Sequence, residues 1–212
     1  LACPPPAPQL DRSRLVSAGD CAEAFDPKRT MLGLDQESWL ARCLAEPARG
    51  RWLLLGQQLM FSPFARKLGA GTGFDTDGWG GYAAAHQRVV DLIAARPRRD
   101  TVVLGGDIHG FVASNVPARL QDMRSEAVAA HIVCGTISSR LGDHGNYIAS
   151  LPDNPHIQFV DAQRHGYTRC TFTKDRASFE FRVVDDVRDP TSGLGTLATF
   201  ETEWGVAGLR RL

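Results

Sequence analysis

Hydrophobic positions in the first half of the chain follow a strand, then a helix, then a second strand. Residues 52–61 are strongly apolar, and residues 102–104 are continuously apolar and mostly β-branched, which is typical of a strand buried on both faces. Between these runs, apolar side chains recur at helical spacing over residues 83–95, which predicts a helix that ends before Pro97. This order predicts two parallel strands joined by a right-handed crossover.

Further patterns predict a helix before this unit and strands after it. Residues 36–45 have an amphipathic stripe, with Asp35 at the expected start and Pro47 just beyond the end. After residue 126, five short runs of β-type residues are separated by turn residues. Residues 178–183 alternate between apolar and polar, as a half-exposed antiparallel strand does. The C-terminal half is therefore expected to be mostly β.

The strand at residues 101–106 ends in two glycines, and Asp107 and His109 follow at once. Ligands in open α/β sheets sit beyond the carboxyl ends of strands, and glycines there allow backbone conformations closed to other residues. Because carboxylate oxygens and imidazole nitrogens bind metals, we predict Asp107 and His109 as metal ligands. The alternative is a capping Asp and a hydrogen-bonded loop His. Two residues cannot complete a metal site, so further ligands must come from elsewhere.

A long glycine-rich loop is predicted at residues 62–82. It lacks the lysine of a P-loop, so flexibility is the better interpretation, although loops of this length are often functional. Asp77, Trp79 and Tyr82 close the loop and are candidate site-lining or substrate-binding residues; packing is the alternative for the two aromatic rings. Gln57, a further candidate, either faces a polar cavity or ties down a turn.

Composition places the chain among soluble globular proteins. Its 212 residues suffice for one domain with a sizeable core, and 43% of them are apolar. Lys plus Arg and Asp plus Glu number 24 each, which gives no reason to expect a nucleic acid or an anionic membrane as partner. No apolar run approaches the ~18 residues of a membrane span. The five cysteines are odd in number and irregularly spaced, so we expect buried free thiols instead of a disulfide framework.

The N-terminal segment differs from the rest of the chain. Residues 1–13 contain four prolines and are expected to be extended or disordered, which leaves residues 14–212 as the folded part. The chain starts without an initiator Met and without the pattern of a signal peptide. We therefore expect a sequence that begins inside a longer protein; a mature, processed N-terminus is the alternative.

Six ordered motifs of the chain together resemble one protein family. They are Arg-Thr-Met-Leu-Gly-x-x-Gln-x-x-Trp-Leu at 29–40, Trp-x-x-Leu-Gly-x-Gln-x-Met-Phe at 52–61, Asp-x-Trp-x-Gly-Tyr at 77–82, Gly-Asp-Ile-His at 106–109, Asn-Pro-His at 154–156 and Gly-Tyr at 166–167. The ordered set resembles the alkaline phosphatase D (PhoD-like) family of calcineurin-like metallophosphoesterases.

The resemblance implies an α+β fold, a two-sheet β-sandwich flanked by helices with a metal centre at one edge. It also implies a metal-dependent phosphoesterase that hydrolyses phosphate mono- or diesters by a metal-activated hydroxide, with calcium and iron as the metals. In the family, a Gly-Asp-Val-His motif supplies metal ligands, and Asp107 and His109 match those positions. An extracytoplasmic location, periplasmic or secreted, is implied as well.

The chain also departs from the family pattern. The family's Gly-Asp-Tyr and Asp-Asp-His segments, which provide most of the other metal ligands, do not occur in it. The chain therefore resembles only the C-terminal part of the catalytic domain, and the missing N-terminal part of the same protein is an expected partner. Gln57 stands where the family has Asn, and His131 stands where it has Glu.

Three hypotheses about function follow from the sequence. The first is a metal-dependent phosphoesterase that is incomplete without the missing part. The alternative is a catalytically inactive fragment or binding module that retains the fold. An α/β hydrolase without metal is disfavoured because no Gly-x-Ser-x-Gly motif occurs. The residue patterns identify no catalytic base or nucleophile.

Overall fold

Helices and strands in the described part of the chain follow the order expected for an α+β protein. The computed structural model describes residues 15–47 and 50–212, so the predicted extended segment at 1–13 lies outside the described residues. The helices are α1 (Leu34–Ala45), α2 (Ala83–Ala94) and α3 (His144–Ser150). The strands are β1 (Leu15–Val16), β2 (Leu53–Gly56), β3 (Arg66–Leu68), β4 (Gly71–Asp75), β5 (Thr101–Gly105), β6 (Phe111–Arg119), β7 (Asp122–Val133), β8 (Ile157–Asp161), β9 (His165–Phe172), β10 (Arg176–Val184), β11 (Leu194–Glu203) and β12 (Arg210–Arg211). Within these ranges, no helix has the length and apolar character to cross a membrane.

The largest sheet has five strands in the order β2-β5-β7-β6-β8. Strands β2, β5 and β7 are parallel, and β6 is antiparallel to both of its neighbours. Because α2 connects the parallel pair β2 and β5 in sequence, the predicted strand–helix–strand unit is confirmed. Strand β2 ends at Gly56 and does not continue to Phe61, since the chain turns after Gln57.

A second sheet of four antiparallel strands, in the order β12-β11-β10-β9, packs on the first. Phe179 and Phe181 of β10 point into the space between the sheets, as the alternation of residues 178–183 predicts. They join one buried cluster with Val102 of β5 and Phe111 of β6. The predicted two-sheet β-sandwich is therefore confirmed.

Helices α1 and α2 cover the outer face of the five-stranded sheet. Val89 and Ile93 of α2 pack with Leu40 of α1 and Val103 of β5 in a second buried cluster. The adjacent residues Val102 and Val103 thus face different cores, and both are fully buried. This arrangement confirms that β5 is covered on both faces and that helices flank the sandwich.

The third sheet is small and lies mostly within the stretch that the sequence predicts as one flexible loop. Strands β3 and β4 form a hairpin inside residues 62–82, and β1 pairs with β4. A Cβ on Gly73 would lie 2.8 Å from the carbonyl oxygen of Val16. This glycine is therefore required where two strands approach closely, and the prediction of a flexible loop is wrong here.

The cysteines are in two different states. Cys21 is disulfide-bonded, whereas Cys43, Cys134 and Cys170 are free. Burial raises the pKa of Cys170, and the neighbouring Cys134 raises it further. The expectation of free thiols is confirmed for these three residues and is wrong for Cys21. The expectation of burial is wrong for Cys43, which is exposed.

Replacing Phe181 by Ala should strongly destabilise the sandwich. The Phe181 ring is fully buried and lies 5.0 Å from the ring of Phe111 and 5.6 Å from that of Phe200, measured between centroids. Cavities of this kind cost ~3–5 kcal/mol, a loss that urea denaturation followed by circular dichroism will measure. Tyr167→Ala, on the half-exposed surface of β9, is the control and should cost under ~1 kcal/mol. Equal losses for the two variants would contradict this description of the core.

Candidate functional site

The candidate site begins where β5 ends, at residues 106–110, which we call the site turn. Asp107 and His109 there have φ angles of +74° and +55°, and no other non-glycine residue in the described ranges has a positive φ. Left-handed backbone costs such residues roughly 1–2 kcal/mol each. The surrounding structure must therefore hold the site turn in this conformation.

One side of the site turn is held by the segment that follows β2. A Cβ on Gly105 would overlap the carbonyl oxygen of Leu59, so this glycine lets the two backbones touch. Gln57 fixes Leu59 in turn, because its side-chain oxygen accepts the Leu59 N–H at 3.1 Å and its side-chain nitrogen donates to the Leu59 carbonyl. The same oxygen accepts the indole N–H of Trp79 at 3.2 Å. Gln57 thus ties down a turn.

The other side of the site turn is held by residues 134–147. The Gly142 N–H donates to the His109 carbonyl at 3.0 Å, and the Tyr147 hydroxyl donates to the Ile108 carbonyl at 2.9 Å. Burial raises the pKa of Tyr147, which keeps this hydroxyl protonated and able to donate. A Cβ on Gly142 would lie 2.6 Å from the Ile108 carbonyl oxygen, so a larger residue would separate this loop from the site turn.

A cavity of about 1500 Å³ opens in front of the site turn. Asp107 and His109 line it together with Asp77 and Trp79, so the structure brings four of the sequence-predicted residues to one space. The side chains of Asp107 and His109 form no hydrogen bond or ion pair with any other residue in the described ranges. Both side chains are therefore available to a ligand.

Gln57 and Tyr82, the two remaining candidates, are not among the described residues that line this cavity. Gln57 shapes the wall through its hydrogen bonds to Leu59 and Trp79. The ring of Tyr82 packs beneath the guanidinium of Arg29, which lies 4.5 Å from the ring centroid. The structure thus places both residues outside the cavity lining.

Two residues of the Asn-Pro-His motif support the site in a way that sequence reasoning did not identify. Buried Asn154 accepts the Ala65 N–H at 2.9 Å and donates to the Ala65 carbonyl at 2.7 Å. His156 donates from Nε2 to the Pro63 carbonyl at 2.8 Å. The motif therefore fixes residues 63–65, which line the cavity. The only sequence signal for this role is the resemblance of the motif to that of the family.

His131 holds the same segment from the five-stranded sheet. Its ring nitrogens face the backbone N–H groups of Phe61 at 3.2 Å and Ser62 at 3.3 Å. A neutral imidazole accepts a hydrogen bond at one nitrogen, whereas the protonated ring accepts none. Burial, aided by the neighbouring His86 and His156, lowers the pKa of His131 to about 3. The residue at the family's Glu position is thus a neutral, buried anchor.

The candidate metal ligands are suitable in kind but too few to complete a site. Asp107 offers carboxylate oxygens and His109 an imidazole nitrogen. Among residues 15–47 and 50–212, however, no group of three or more His, Cys, Asp or Glu lies in an arrangement that could hold a metal ion. Asp75 and Asp77 line the same cavity without forming such a group. Because catalytic metals usually have at least three protein ligands, the described residues alone do not form a complete centre.

Comparisons with known proteins agree on one family. The family model of PhoD-like phosphatases matches residues 8–181. The chain is 34% identical over 194 residues to alkaline phosphatase D of Bacillus subtilis (strain 168), a match that covers 90% of this chain and 33% of that protein. A solved structure of PhoD matches with a TM-score of 0.82 and 32% identity, over 95% of this chain and 38% of that one. The chain thus spans about a third of the length of the curated relative that it matches.

Acid should destabilise the protein through two buried histidines. Burial lowers the pKa values of His86 and His131 from 6.5 to about 3 in the folded protein, so the unfolded chain binds more protons between these values. Their contribution to the free energy of unfolding is complete above about pH 6.5 and is lost as the pH falls towards 3, by up to ~1.4 kcal/mol per pH unit for each residue. Urea denaturation at a series of pH values measures this loss.

Two variants make the pH experiment specific. His131→Gln removes one of the buried titrating groups and should flatten the dependence of the unfolding free energy on pH. His86→Gln removes the other buried titrating group and should flatten the dependence in the same way. An identical slope in His131→Gln and the unmodified protein would refute the assignment.

Proposed function

The chain belongs to the PhoD-like phosphatase family, and on that premise we propose that it forms the part of a phosphoesterase that contains the site turn. The proposed substrates are phosphate mono- or diesters. The observation that carries the proposal is the site turn itself, where two unpaired ligand-type side chains are held in left-handed backbone beside a large cavity. Strained backbone of this kind is concentrated at functional sites.

We propose that Asp107 and His109 are two ligands of a metal centre, with calcium and iron as the metals because of the resemblance to the family. Bound metal ions would supply charge for the phosphate oxygens and lower the pKa of a bound water. The remaining ligands have to come from outside the described residues, since these offer no third ligand within reach. The rest of a longer protein is the proposed source, as the chain covers only 33% of alkaline phosphatase D.

In this proposal the residues of the chain act by positioning. The contacts of Gly105 and Gly142 fix the directions of Asp107 and His109 before any ligand binds, so little conformational freedom is lost on binding. Trp79 is buried and anchored by Gln57, which gives the cavity a rigid apolar wall. Such a wall excludes water from one side of a bound ester.

We also propose an extracytoplasmic location, either periplasmic or secreted. The family resemblance supports it, and so does the disulfide of Cys21. Disulfide bonds persist in oxidising compartments and are rare in the cytosol.

A binding module without turnover is the second candidate function. The observation that favours it is the absence of a third metal ligand within residues 15–47 and 50–212. The two candidates differ in one measurable respect. Only the enzyme releases alcohol from a phosphate ester when metal ions and the rest of the longer protein are supplied.

Asp107→Asn should reduce bound metal and phosphatase activity together. Among residues with a Cβ, Asn tolerates left-handed backbone well, so the fold should persist while the carboxylate charge is lost. Changes beside a metal ligand already cost ~10–100-fold in affinity or activity, so we expect at least about a tenfold loss in both quantities. Elemental analysis and hydrolysis of a chromogenic phosphate ester measure them, in the longer protein that supplies the remaining ligands and with calcium and iron added.

The matched control for this variant is Asp122→Asn. Asp122 lines the same cavity but is paired with Arg119 at 2.9 Å, so its replacement should change neither quantity. Full metal content and full activity in Asp107→Asn would refute the ligand assignment. Metal binding by the unmodified longer protein without any hydrolysis would favour the binding module.

A further inference from the structure

One arginine in the cavity differs from the others in having no partner. Arg140 lines the cavity, is exposed, and forms no ion pair or hydrogen bond with any residue of the described ranges. The other arginines that line the cavity in these ranges are all paired with a carboxylate. The pairs are Arg66 with Asp143, Arg88 with Glu37, and Arg119 with Asp122. Arg140 is therefore the cavity arginine that is free to bind an anion.

Arg140 is held close to the site turn by anchors on both sides of it in sequence. On one side, the Ser139 carbonyl accepts a hydrogen bond from Nε2 of His165 at 3.0 Å. On the other side, the Gly142 N–H donates to the His109 carbonyl at 3.0 Å. The second anchor is the backbone of a candidate metal ligand, so the base of the Arg140 side chain lies beside the proposed centre.

The charges around the site turn show what Arg140 can contribute. Six carboxylates of the described residues line the cavity, namely those of Asp75, Asp77, Asp91, Asp107, Asp122 and Asp143. Arg66 lies 3.8 Å from Asp143 and compensates for part of this negative charge. A phosphate ester would be repelled by the remainder unless a further cation is present. A free guanidinium supplies that charge and also donates two parallel hydrogen bonds to two oxygens of one phosphate group.

We infer that Arg140 binds the phosphate group of the substrate, with two non-bridging oxygens accepting hydrogen bonds from its guanidinium. The substrate class rests on the proposed function, whereas the role of the residue rests on its position and its lack of a partner. The phosphate would then lie between Arg140 and the site turn. The competing description is a solvated surface arginine that takes no part in binding.

The test is a calorimetric titration of the purified chain with inorganic phosphate, with and without added calcium and iron. We expect saturable binding, and a dissociation constant that rises about tenfold or more in Arg140→Gln, because a charge-assisted pair of hydrogen bonds is lost. Arg140→Lys keeps the charge but not the planar fork, so its dissociation constant should lie between the two. Arg119→Gln, which changes an arginine of the same cavity that is paired with Asp122, should bind phosphate as the unmodified chain does.

Two results would overturn the role of Arg140: no phosphate binding by the unmodified chain, or equal dissociation constants in it and in Arg140→Gln. The role and the proposed function can fail separately. Hydrolysis with an unchanged KM in Arg140→Gln would keep the function and remove the role. Loss of phosphate binding in Arg140→Gln, with no hydrolysis by the longer protein that supplies the remaining metal ligands, would keep the role and count against the function.

Discussion

The left-handed backbone at Asp107 and His109 is the constraint on which the candidate site depends. Left-handed backbone costs roughly 1–2 kcal/mol for each residue. This is a noticeable part of the free energy of unfolding of a domain, which is ~5–15 kcal/mol. The turn persists because two glycines allow close backbone packing. Gly105 contacts the Leu59 carbonyl, and Gly142 contacts the Ile108 carbonyl. The side chains that face the cavity are thus aimed by backbone contacts, without side-chain hydrogen bonds of their own.

The contacts that hold the site turn depend on the five-stranded sheet. Gln57 directly follows β2, His131 lies in β7, and Asn154 shortly precedes β8. Three strands of this sheet therefore position the side chains that bind residues 59–65. His131 does this as a neutral ring, which a fully buried position requires. The sandwich beneath the site therefore determines the shape of the cavity as well as the stability of the protein.

Features that depend on the spacing of neighbouring residues could be predicted from the sequence, whereas features that depend on contacts between distant residues could not. Strand β5 and the alternation in β10 were predictable because side-chain spacing along a strand records which faces are buried. The β3–β4 hairpin was not, since Gly73 serves a contact with distant Val16. At the site, the position of Asp107 and His109 beyond the end of a strand could be predicted, and their role as ligands stays a prediction. Arg140 could not, because its lack of a partner is a property of the folded chain alone.

The central claim is that close backbone contact holds Asp107 and His109 in left-handed conformation before any ligand binds. The most direct measurement is the backbone φ of these residues by NMR couplings and chemical shifts, in the unmodified chain and in Gly105→Ala. Our account predicts positive φ in the unmodified chain, its loss in Gly105→Ala, and its retention in Gly56→Ala, where a Cβ meets nothing within 4 Å. Negative φ at either residue in the unmodified chain, or an unchanged turn in Gly105→Ala, would contradict it.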